Sequence, residues 1–153
     1  MSTELEIAWA AGLFDGEGCI HIGKIPPTSK NGLRNPSYRL TLKITMGCQV
    51  SVRKFAEIVG DGTSFLHSKG GKRLNPSYSF IAQSRKAQPI LQQLRPYLIT
   101  KADQADIALT FLALPDCPRG GKNGSRQVSS EYLQVRQELY EACAKAKPTY
   151  RFR

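Results

Sequence analysis

The apolar pattern predicts an α+β protein in which a helix–strand–strand unit is used twice and further helices follow. Three observations lead there. From Ile7 to Phe14 no side chain is charged and apolar positions go all round a helical wheel, so this helix is expected to be buried on two faces. Residues 37–46 alternate, with Leu40, Leu42 and Ile44 on one side and Arg39, Thr41, Lys43 and Thr45 on the other, the period of a half-buried strand. The tetrapeptide Asn35-Pro36-Ser37-Tyr38 returns as Asn75-Pro76-Ser77-Tyr78. Each copy opens the second strand of a predicted hairpin after a Gly-containing basic loop.

The first helix is expected to begin near Thr3, because Thr3 and Glu6 have the spacing of a capping box. Gly16 suits a left-handed residue that closes it. Ala10, Ala11 and Gly12 are small enough for another backbone to come close. Asp15 and Glu17 stand at the C-terminal end, where the helix dipole is already negative, so a cation, most simply a divalent metal, is expected to join them. Residues 19–24 then read as a strand with Ile20 and Ile22 inward and His21 and Gly23 outward, ended by Pro26-Pro27. Residues 28–36 form a polar, basic loop. A short helix is predicted over residues 52–59, closed by Gly60-Asp61-Gly62. A hairpin follows, with strands 63–69 and 74–83 about a Gly70-Gly71 turn. Leu66, Tyr78, Phe80 and Ala82 are expected inward, and Phe65, His67, Lys69, Arg73, Asn75, Ser77 and Ser79 outward. Helices are predicted over 85–94, stopped by Pro96, then from a Thr100–Asp103 capping signal to Pro115, and over 130–144. Residues 118–126 read as a mobile basic loop and 145–153 as a flexible basic tail.

The 153 residues suit one domain spanning the chain. No apolar run reaches the roughly 18 residues of a membrane span, and acids stand where a signal peptide has its basic region. A cytosolic or organelle-matrix location, not secretion, is expected. Cys19, Cys48, Cys117 and Cys143 are scattered without a Cys-x-x-Cys pair, which excludes the usual zinc spacings and favours free thiols. His21 and His67 have no third ligand in view. Net charge is +10, and it is segregated. Residues 1–18 hold four acids and no base, whereas 19–54 hold seven bases and no acid. Asp103, Asp106 and Asp116 make residues 102–118 acidic again. A basic stretch of that density reads as a polyanion-binding surface, on which bases and hydroxyls such as Arg39, Thr41 and Lys43 suit phosphate and base contacts.

Residues 10–18, Ala-Ala-Gly-Leu-Phe-Asp-Gly-Glu-Gly, resemble the LAGLIDADG motif of the homing endonucleases. Gly12, Leu13, Asp15 and Gly18 match it outright. Ala10, Phe14, Gly16 and Glu17 depart from it, the last keeping a carboxylate on a longer arm. The resemblance implies the αββαββα fold with a curved four-stranded antiparallel sheet, and it covers residues 3–115, with additional C-terminal helices beyond. One motif implies the single-motif class, which dimerises through the motif helices, here through Ala8, Ala11 and Gly12. It implies a homodimer that makes a Mg²⁺-dependent double-strand break in a long, near-palindromic DNA site, and an intron-homing role. Glu17 would be the direct ligand of Mg²⁺, or of Mn²⁺ or Ca²⁺ in the same place, helped by the Gly16 carbonyl. Asp15 would be a second catalytic acid or serve the helix end, and Lys101 would be a basic residue near the attacking water. The family's frequent Gln falls at Met46 or Gln49, and Arg53 is a further basic candidate. Double-stranded DNA would be met by His21, Lys24, Arg34, Arg39, Thr41, Lys43, Phe65, His67, Lys69, Arg73, Asn75, Ser77 and Ser79. An RNA-splicing maturase bound to intron RNA, or a DNA-binding protein that has lost cleavage, remain open on the same scaffold.

Overall fold

A computed structural model describes residues 1–30, 33–72, 74–116 and 128–148. Arg73, the loop expected at 118–126 and the end of the basic tail at 149–153 lie outside the described residues. Helix α1 (Glu4–Glu17) leads into β1 (Gly18–Ile25) and β2 (Ser37–Met46). Helix α2 (Gln49–Val59) leads into β3 (Thr63–Ser68) and β4 (Ser77–Gln83). After them come α3 (Ala87–Leu94), α4 (Ala102–Ala113) and α5 (Ser130–Lys145), with short 3₁₀ turns at Ser84–Lys86 and Arg95–Tyr97.

The four strands form one antiparallel sheet in the order β1-β2-β4-β3. The second strand of each hairpin is therefore central, and each begins at the Ser of the Asn-Pro-Ser-Tyr repeat. The helix–strand–strand unit is built twice, as the repeat predicts. On the even-numbered face Ile20, Ile22, Leu40, Leu42, Ile44, Phe80 and Ala82 are buried under the helices, joined by Phe14, Phe55, Ile90, Leu91 and Leu94. Phe55 stacks on Phe14 and meets Phe80 edge-on, with centroids 6.1 and 5.1 Å apart, so aromatic contacts tie α1, α2 and β4 together. The odd-numbered face of the strands stays open.

Local chemistry explains most element ends. The Thr3–Glu6 capping box forms in both directions. Glu6 also pairs with Lys54 at 2.9 Å, tying α1 to α2. Helix α2 closes on Gly60 at φ +64. Helix α1 ends otherwise than expected: Gly16 is inside it, and Gly18 is the cap, in extended backbone. A Cβ on Gly18 would lie 2.4 Å from the Phe14 carbonyl oxygen and 2.5 Å from its ring. Gly18 is thus required by close packing and not by a left-handed turn. Thr100 does not cap α4, which has no side-chain cap; the amides of Ile99, Thr100 and Lys101 in the turn before it are taken by the distant Asp15 carboxylate. Leu66 points toward the helix side but is 46% exposed, because β3 is an edge strand and a gap of about 170 Å³ between it and α2 is left open beside Val52 and Tyr78. No helix among the described residues is long and apolar enough to cross a membrane.

Candidate nucleic-acid interface

Strand register decides which side chains share the open face. His21 pairs with Thr41, and Thr41 with Gln83. Cys19, Lys43, Ile81 and Thr63 make the next row, and Thr45, Ser79 and Phe65 the row after that. Gly23 faces Arg39. Gln83 Nε2 donates to Thr41 Oγ1 at 3.4 Å. The β3–β4 register shifts between Leu66 and Ser68, and the His67 and Phe65 ring centroids lie 6.3 Å apart. No carboxylate occupies any of these strand positions. The face therefore offers cations and groups that both donate and accept hydrogen bonds, set at strand spacing. Arg34, Lys69 and Asn75 are exposed in the loops at the strand ends, and Ser77 is half-buried at the start of β4.

Two expected contacts do not reach this surface. Lys24 lies on the helix side of β1, as the parity of Ile20 and Ile22 requires. Its ammonium donates to Gln137 Oε1 of α5 at 2.8 Å and lies 5.9 Å from the Tyr38 ring centroid. Ser79 is on the open face but fully buried, overshadowed by its longer neighbours Thr45 and Phe65, and its hydroxyl lies 2.6 Å from that of Thr45. Gln83, Thr63 and Ile81 join the surface although sequence reasoning passed over them; extending the alternation one residue past Ala82 would have found Gln83. Met46 packs partly against the core, and Gln49 is half-buried in the first turn of α2, so neither stands among the open-face rows.

At the end of α1 the two acids part company. The Asp15 carboxylate accepts hydrogen bonds from the backbone N–H groups of Ile99 and Thr100 at 2.7 and 2.9 Å and of Lys101 at 3.0 Å. Burial pushes this carboxyl up, but the three amides and the Lys101 ammonium outweigh it and hold the group below its ordinary value. Asp15 thus clamps the Ile99–Lys101 turn that leads into α4, and both its carboxylate oxygens are engaged there. Lys101 is buried, 6% exposed, and its ammonium donates to the Asp15 carbonyl. Burial lowers the pKa of Lys101, opposed by the negative charge of Asp15 and Glu17. Glu17, by contrast, is exposed and has no hydrogen-bond or ion-pair partner among the described residues. Among those residues no cluster of three or more His, Cys, Asp or Glu side chains is present. Cys19, Cys48 and Cys143 are free thiols.

Helix α1 has two opposite faces. Ala10, Ala11 and Phe14 are fully buried in the chain's own core, so Ala11 is not available to a partner as expected. Leu5, Trp9, Gly12 and Gly16 follow the i, i+4, i+7, i+11 spacing along the other side, with Leu5 84% and Trp9 43% exposed. Ala8 flanks them, half-buried. A Cβ on Gly12 or Gly16 would meet nothing within 4 Å, so nothing inside this chain demands glycine at either position.

An open four-stranded sheet, backed by helices and led by an acid-tipped motif helix, is the fold of the LAGLIDADG homing endonucleases, and the chain carries one copy of that helix. It resembles the homing endonuclease I-CvuI, solved with its DNA target in the presence of Ca and with another target in the presence of Mg; for the first structure the TM-score is 0.73 at 22% identity over 98% of this chain and 87% of that one. The archaeal intron-encoded homing endonuclease I-Vdi141I, solved with DNA, gives 0.70 at 12% identity over 97% and 87% of the two chains. The homing endonuclease I-TnaI gives 0.62 at 15% over 95% and 97%. No protein-family model and no curated protein sequence matches the chain.

Proposed function

We propose that this chain is a site-specific DNA endonuclease that acts as a homodimer, reading a near-palindromic duplex with its open sheet face and cutting both strands with a divalent cation. The observation that carries this reading is α1 itself: an apolar, glycine-spaced outer stripe ending in an unpartnered Glu17. A second copy laid along Leu5, Trp9, Gly12 and Gly16 would bury the stripe and bring two Glu17 carboxylates together. Two-fold symmetry then calls for two like half-sites.

The donors fit a hard dication. Mg²⁺ and Ca²⁺ take oxygen ligands, and Glu17 with the Gly16 carbonyl offers only oxygen. One chain supplies too few, so the partner's pair and the phosphate would complete the set. Such an ion supplies polarisation of the phosphate and a lowered pKa for the attacking water. The chain's own residues do the positioning. Asp15 fixes the α1 tip against α4, Lys101 holds the last turn through the Asp15 carbonyl, and its buried amine exchanges a proton at lower pH than an exposed lysine. Arg39, Lys43 and the loop bases hold the DNA backbone, while His21, Thr41 and Gln83 face base edges of the major groove, which admits a β-ribbon.

The test is cleavage of a randomised duplex library with Mg²⁺, by the parent and by Glu17→Gln. The variant is expected to keep binding and to lose cleavage by about 10²-fold or more. Equal cutting by both would overturn this active site. Binding of intron RNA with no cut in any duplex would move the function to RNA splicing, and sequence-specific binding by the parent with no cut would leave a DNA-binding protein.

A further inference from the structure

We propose that the cavity enclosed by the Ser84–Lys86 turn, the C-terminal end of α4 and the first turns of α5 is a phosphate-binding site with Arg136 as its buried anchor. The cavity holds about 330 Å³, within the size range of small-ligand sites. Arg136 is only 9% exposed, and arginine is rarely so buried unless paired. It has no paired carboxylate among the described residues. The guanidinium lies between the rings of Phe111 and Tyr132, 4.8 and 4.5 Å from their centroids. It donates once, to the Pro115 carbonyl at 2.8 Å, and its Nε is buried with no hydrogen-bond partner among the described residues. The rings stabilise the cation but accept nothing in the guanidinium plane, where its five N–H donors point. A phosphate supplies both the missing charge and in-plane acceptors, in the fork geometry arginine favours.

The rest of the wall suits an anion. Ser84 and Gln88 add neutral donors, and Arg85 stands at the mouth with its side chain 82% exposed. Asp116 also lines the cavity, but its carboxylate is neutralised by Arg85. Ser84 holds a left-handed φ of +52, strain of the kind that concentrates at binding sites. Tyr38, on the helix side of β2, forms part of the wall, while Ser84, Arg85 and Asp116 at the mouth also border a hollow lined by Thr63, Ile81 and Gln83 of the open face. The site's anchor, Arg136, lies on α5 and is not among the residues of the open face. The phosphate comes from a free nucleotide or from a nucleic-acid strand.

The test uses the full chain labelled with ¹⁵N, following the Arg136 Nε–H resonance at constant ionic strength. Inorganic phosphate, adenosine monophosphate and a short single-stranded oligonucleotide are titrated in turn, with chloride as the control. Phosphate is expected to shift the resonance saturably, and Arg136→Gln to abolish phosphate stabilisation against heat. Arg85→Gln, at the exposed mouth, is expected to keep the parental melting curve and weaken phosphate binding roughly tenfold. Tighter binding of the mononucleotide than of phosphate assigns the group to a free nucleotide; tighter binding of the oligonucleotide assigns it to a strand. A shift no different from that with chloride, or an Arg85→Gln protein that binds phosphate like the parent, overturns the proposal.

Discussion

Asp15 and Glu17 are two residues apart and sit in different surroundings because only Asp15 meets the turn that leads into α4. Both Asp15 oxygens are occupied by amides of residues 99–101, and a charge-assisted bond of this kind contributes about 1.5–3 kcal/mol. Asp15→Asn presents one acceptor oxygen where two are used, so it is expected to lower unfolding stability by about 2 kcal/mol at neutral pH, read by urea denaturation. Because the folded-state pKa of Asp15 is depressed below 3.8, its contribution is present above that pH and lost as pH falls through the folded value. The parent should therefore lose stability on acidification below about 3.8 more steeply than Asp15→Asn, and equal acid slopes would remove the clamp. From sequence both acids look alike at a helix end. The partner of Asp15 lies 84 to 86 residues further on, beyond any local pattern.

At the scale of elements, α1 was legible as a helix apolar all round and expected to be buried on two faces, but the chain itself buries only one of them. Ala10, Ala11 and Phe14 meet the chain's own core, whereas Leu5 and Trp9 meet solvent. Trp9→Glu puts a charge in the centre of the outer stripe without touching the core. If the proposed homodimer forms along this stripe, the variant is expected to stay monomeric by light scattering where the parent is dimeric, to melt within a few degrees of a dissociated parent, and to lose the proposed double-strand cutting. A parent that is already monomeric at micromolar concentration with DNA present would contradict the dimer. The strands were legible because period-two alternation is set locally by the pleat. The same rule puts Lys24, which shares the parity of Ile20 and Ile22, on the helix side, where α5 supplies Gln137 as its partner.

For the whole molecule, segregation of charge becomes segregation of surfaces. The helices cover one face of the sheet, and the other presents Arg39, Lys43 and His21 with no acid in its strand rows. Binding through that face implies a salt-dependent affinity, since each neutralised phosphate adds about 0.9 to the slope of log K against log salt. Lys43→Gln is expected to reduce the slope by about 1 per protomer, whereas Lys24→Gln should leave it unchanged. Fluorescence anisotropy over a salt series measures both, and a larger change for Lys24 would mean that the sheet presents its other face.

The sequence by itself determined the elements, their order, the repeat of the helix–strand–strand unit, the motif with its carboxylates, and the parity of each strand. All of these follow from periodicities and caps that act over a few residues. Tertiary structure alone decided that Asp15 holds the turn before α4, that Ser79 is shielded between Thr45 and Phe65, that Ala11 belongs to the core, and that Arg136 is buried among aromatic rings. Each depends on residues far apart in the chain arriving at one place, and side-chain size and register there settle what stays exposed.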